Sequence, residues 1–87
     1  GTIEHVQIMS DQIGSVQVEI KKSDYSSFPT SNSITNSQYI SISNGQIVRD
    51  DTLNNWDNII RSGDILQFEV ISVSNIRRFL ISLKLNL

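Results

Sequence analysis

The sequence predicts an all-β fold, and three observations carry that prediction. Apolar residues alternate with polar ones along several runs, most cleanly at Val16, Val18 and Ile20 and again at Leu66, Phe68 and Val70. Period two is the pattern of half-buried strands, because successive side chains leave a strand on opposite faces. Alanine is absent and the aliphatic residues are Ile, Val and Leu, so intrinsic preference runs toward strand rather than helix. Glycine, serine, asparagine and the single proline punctuate these runs, where turns need them.

Taken in order, Ile3 to Met9 is the first predicted strand, with Val6 and Ile8 on one face and an irregularity near His5. Ser10 to Gly14 is a predicted loop. From Ser15 to Lys21, Val16, Val18 and Ile20 point inward while Gln17, Glu19 and Lys21 point outward. Lys22 to Ser33 is the least regular stretch. Pro29 bars a central strand there, and Tyr25 and Phe28 read as aromatic plugs pinning the loop over an open end. Asn32 to Thr35 is a short predicted strand.

Tyr39 to Ser43 alternates again and runs into Asn44-Gly45, the strongest two-residue hairpin signal in the chain. Gln46 to Arg49 then either pairs back or belongs to a bulged loop over Ser43 to Val48. Trp56 to Ile60 reads as a helical turn or a short strand. In Ser62-Gly63-Asp64, Gly63 is free to take positive φ and Asp64 to accept from nearby amides. Ile65 to Val70 and Phe79 to Leu85 read as an antiparallel hairpin closing the structure. The sum is one domain over 1–87, an antiparallel β-sandwich of about seven to eight strands, jelly-roll-like or immunoglobulin-like.

Composition narrows the function classes. With 87 residues the chain buries a modest core, so its stability leans on neighbours or symmetry mates. A net charge of −2 argues against binding nucleic acid through phosphate neutralisation. No cysteine is present, which excludes disulfides and thiolate zinc sites. No apolar run approaches the roughly 20 residues of a membrane-spanning helix, and Gly1 to Glu4 lack the pattern of a signal peptide.

Candidate sites are few. Trp56 is either a stacking platform for a sugar ring or a core anchor beside Leu53, Ile59 and Ile60; the apolar neighbours favour the core. Asp50, Asp51, Asp57 and Asp64 with Asn54, Asn55 and Asn58 are hard-oxygen ligand types, but they lack EF-hand spacing and suit turns better. No metal or cofactor is expected. His5, the sole histidine, has no nucleophile beside it and reads as a surface or strand-edge residue. Glu4, Asp11, Asp24 and Glu69 supply carboxylates, yet a sandwich this small has no room for a glycosidase cleft, so a non-enzymatic protein is expected. Lys21-Lys22, Arg77-Arg78 and Lys84 are basic spots, read as solvated faces or edge guards against a functional alternative of contact with an anionic polymer.

One resemblance spans nearly the whole chain. Gly14-Ser15-Val16-Gln17-Val18-Glu19-Ile20-Lys21-Lys22, Tyr25-Ser26-Ser27-Phe28-Pro29, Ser33-Ile34-Thr35, Thr52-Leu53-Asn54-Asn55-Trp56, Gly63-Asp64-Ile65-Leu66-Gln67-Phe68-Glu69-Val70 and Ser82-Leu83-Lys84-Leu85 follow one another in order. This series resembles a β module found near the C-termini of tailed-bacteriophage virion proteins. The chain departs from that pattern at Lys21, where the module usually has tryptophan, and at Glu19, where it has aspartate.

The resemblance implies a structural or attachment module of a tail, fibre or head decoration, located in the virion, either by itself or as a fragment of a longer virion protein. It also implies a homo-oligomer, a trimer above all, contacting other virion proteins and, in one reading, a host-surface glycan. Ile76, Leu80 and Leu87 are then the candidate interface, as apolar residues that a symmetric partner would cover. Tyr25, Phe28, Asn54, Asn55 and Trp56 form the candidate carbohydrate or receptor surface.

Overall fold

A computed structural model describes residues 1–86, and Leu87 lies outside the described residues. The fold is all-β and antiparallel, built from β1 (Thr2–Ser23), β2 (Asn32–Ser33), β3 (Ile40–Asp50), β4 (Ile65–Ser74) and β5 (Phe79–Asn86). Every other strand pairs with β1. β3 and β2 lie along one of its edges, while β4 and β5 follow each other along the opposite edge.

The described residues thus form five strands where the sequence predicts seven to eight, and the difference has two causes. The first is continuity. Ser10 to Gly14 is not a loop between strands: β1 runs through it for 22 residues. Likewise Asn44-Gly45 makes no hairpin, since β3 passes straight on, with Gly45 paired to Gly14. The second is the closing pair. β4 and β5 do not pair with each other, because Asn75 to Arg78 carry the chain onward along β1 instead of turning it back.

The turn residues are used to bend the sheet. Extended, 22 residues would reach roughly 70 Å, yet the longest dimension of the molecule is 38 Å. Between the pairs Met9–Ile47 and Gly14–Gly45, β1 has four residues where β3 has one. Such an excess on one strand disrupts the ladder and increases twist and bend, as bulges do. Asn44 takes a positive φ of 51° there, and its amide donates to the Ser15 hydroxyl at 3.0 Å. Opposite the bend, the Asp11 amide donates to the Arg78 carbonyl and the Gln12 side-chain amide to the Asn75 carbonyl.

Bending brings both halves of β1 to one core. Val6 and Ile8 from the first half meet Val16, Val18 and Ile20 from the second, with Ile40 and Ile42 of β3. Ile3, Ile34, Leu53 and Trp56 complete the cluster. The irregularity expected near His5 is a register shift between Ile3 and His5, which returns Val6 and Ile8 to the inner face. Each fully buried Val or Ile contributes roughly 1.5–3 kcal/mol.

Candidate functional site

The end of β1 near Lys22 gathers most of the candidate residues, and a buried carboxylate organises it. Glu19 sits on the face that alternation assigns to solvent, yet it is only 6% exposed. The segment after β2 folds over it. Thr35 donates its hydroxyl to Glu19 Oε1 at 2.6 Å, and Ser33 donates at 3.1 Å. The Ile20 amide donates to the same Oε1 at 2.9 Å. Burying a carboxylate is tolerated when such donors replace its water. The outward assignment of Glu19 is therefore corrected. A sequence signal existed in Ser33-x-Thr35, whose spacing sends two hydroxyls to one side.

Above this clasp, two loops are stitched together. The Asp57 amide donates to the Ile34 carbonyl at 2.7 Å, and Asn36 Nδ2 donates to the Asn55 carbonyl at 2.5 Å. The Trp56 indole N–H donates to the Gln38 carbonyl at 2.8 Å. Trp56 is 8% exposed, so it is the core anchor and offers no stacking face. Asn54 and Asn55 beside it are exposed. Leu53 and Asn55 hold positive φ (48° and 63°), and the Trp56 amide closes the turn onto the Leu53 carbonyl at 3.0 Å.

Tyr25 and Phe28 are not plugs. They stand 89% and 52% exposed on the turn from Asp24 to Thr30. Asp24 shapes that turn: its Oδ1 accepts from the Ser27 amide at 2.7 Å and the Ser26 hydroxyl at 3.0 Å. The Ser27 bond above all lowers the Asp24 pKa from its ordinary value. A polar hollow of about 220 Å³ lies at the base of this loop, lined by residues that include Lys22, Asp24, Thr30, Asn32 and Asp64.

Turn chemistry accounts for Asp50 and Asp64. Asp50 Oδ1 accepts from the Thr52 and Leu53 amides, each at 3.0 Å. Asp64 Oδ2 accepts from the Arg61 amide at 2.7 Å, and Gly63 takes φ 89°, as the Ser62-Gly63-Asp64 motif predicts. Asp57 binds Lys22 Nζ at 3.0 Å, and this bond chiefly lowers its pKa. His5 lies on the central strand at the bulge against β5, half-buried, with its Nδ1 unpartnered; the strand-edge reading is corrected.

Set against known proteins, the chain matches no family model, no curated protein and no solved structure.

The basic spots divide. Lys21 pairs with Glu69 at 3.1 Å, Lys22 with Asp57, and Lys84 with Glu4 at 3.3 Å. Arg77 and Arg78 make no salt bridge among the described residues. Of the candidate interface residues, Leu80 is 58% exposed, whereas Ile76 packs against the core. Leu87 falls outside the described residues. Leu80 lies opposite Met9, which lies opposite Ile47, giving an apolar row across three strands on one face of the sheet.

Alternation did not flag a second apolar surface, along β4. Phe68, Val70, Ile71 and Val73 are each 41–52% exposed. In register three of them continue the core face, with Phe68 beside Ile20, Val70 beside Val18 and Val73 beside Val16, while Ile71 is the extra residue at a register shift between Val70 and Ser72.

Proposed function

We propose that this chain is a non-enzymatic structural or attachment module of a bacteriophage particle. It works in a tail, fibre or head decoration through assembly contacts, as several copies of itself with other virion proteins. Its two half-sheets serve as the layers of a small sandwich. The observation that carries this reading is an unfinished core. Among the described residues eleven large hydrophobics are exposed, as many as the eleven in the buried cluster, and Phe68, Val70, Ile71 and Val73 follow one another along β4. A monomeric domain seldom leaves a row like that of β4 open, whereas an assembly module requires one. The ordered resemblance to the phage virion module points the same way, and a trimer is the assembly it implies.

A second reading, a carbohydrate- or receptor-binding module, draws on Tyr25 and Phe28. Exposed aromatic rings near a polar hollow suit a sugar, with its apolar ring faces and hydroxyl edges. In this reading Trp56 supports the loops from within.

Binding of fluorescently labelled domain to intact bacterial cells separates the two. The assembly reading expects no cell binding, together with detection of the chain in purified particles by peptide mass spectrometry. Cell binding abolished in a folded variant carrying Tyr25→Ala and Phe28→Ala would establish the receptor reading instead.

A further inference from the structure

The structure assigns the self-association surface of this chain to the β4 rim, so that other copies cover Phe68, Val70, Ile71 and Val73. This rests on the homo-oligomeric reading above and adds where the copies meet.

The rim is a place where the core stops without being closed. β4 pairs with β1 along one edge and with no described strand along the other. Alternate residues of this ten-residue strand therefore present free backbone donors and acceptors beside an apolar row that continues the core face. Natural edge strands of this length usually carry lysine, proline or an inward charge that blocks pairing. β4 has neither lysine nor proline, its one charge, Glu69, is held by Lys21 at 3.1 Å, and its one interruption is the single extra residue Ile71.

Three features select another copy as the occupant. Bringing the rim against itself sets no unpaired charge against its like, because Glu69 arrives already paired, and the chain as a whole carries only −2. The rim is long enough for a strand of a second copy to pair along it: ten extended residues span roughly 33 Å. Finally, the cover must be at hand wherever the chain folds, since an 87-residue chain with a half-open core is marginal alone. Its own copies meet that condition, and association then adds to stability by mass action. The competing surface is the row of Ile47, Met9 and Leu80. It is less suited, because its centre Met9 is already half-covered and the row does not extend the core.

Light-scattering mass on a sizing column tests this with paired variants. One carries Val70→Lys and Val73→Lys, the other Ile47→Lys and Leu80→Lys. Trp56 emission and circular dichroism report folding in each, and Ile71→Lys alone is the milder rim variant if the double one misfolds. The expected result is an oligomer for the wild type and the Ile47/Leu80 variant, with the rim variants falling to the 9.8 kDa monomer. The reverse pattern would overturn the rim assignment and leave the oligomeric reading standing. A wild type of 9.8 kDa at every concentration would overturn both.

Discussion

The hydroxyl of Thr35 donates a 2.6 Å hydrogen bond to the carboxylate of Glu19, and both side chains are buried. This contact locks the loop after β2 over the central strand and sets the platform on which the Trp56 turn rests. Replacing Thr35 by valine keeps the shape and removes the donor. We expect a loss of about 1.5–3 kcal/mol, as for a bond to a charged group, measured by urea denaturation. Loss well below this range would mean that Ser33 and the Ile20 amide suffice for Glu19.

Gly14 and Gly45 face each other at the bend, but only one has room to spare. A Cβ on Gly14 would overlap the Ser74 carbonyl and lie 2.7 Å from Ile76 Cγ1. On Gly45 the nearest atoms would be 3.7 Å away. Gly14→Ala is therefore expected to cost on the order of 1–3 kcal/mol, as overpacking does, and Gly45→Ala far less. Paired thermal melts check the contrast; equal melting temperatures would contradict the close crossing of β1 by residues 74–76.

Trp56 should emit at short wavelength and resist quenching by acrylamide, because its ring is buried and its N–H is bonded to Gln38. Its emission should not respond to added saccharides. Trp56→Ala is expected to cost about 3–5 kcal/mol, read from the denaturation midpoint. Easy quenching in the native protein would return Trp56 to the surface.

Acid should loosen the loop end. Asp24 and Asp57 have lowered pKa values, the first chiefly from the Ser27 bond and the second chiefly from Lys22. A carboxyl lowered on folding contributes stability that is complete above its unfolded pKa, about 3.9. That contribution fades as pH falls through the lower folded value. Stability should thus decline below about pH 4, and Asp57→Asn should make the decline shallower. An unchanged slope would show that the Lys22–Asp57 pair carries none of it.

Much of this architecture is legible in the residues. Alternation at Val16, Val18 and Ile20 marks the core face, and Gly63-Asp64 marks its turn, because both patterns are local. The Asn44-Gly45 signal misleads for a physical reason. A positive φ at Asn44 serves a bend as well as a hairpin, and the continuous partner β1 decides between them. β4 and β5 looked like a hairpin since each alternates well; which strand an edge pairs with is a non-local choice. Glu19 was assigned to solvent because alternation cannot foresee a loop folding over the outer face. The exposed rim of β4 was hidden likewise: its residues are core-like in type, and only the sheet order shows that nothing described closes over them.

The measurement that bears most directly on the account is the solution mass of the native chain across a wide concentration range, with hydrogen exchange of the β4 amides alongside. A defined multiple of 9.8 kDa is expected, with slowed exchange across Ile65–Ser74 in the assembled form. A monomer at all concentrations, with β4 amides exchanging as freely as those of an exposed edge, would contradict it.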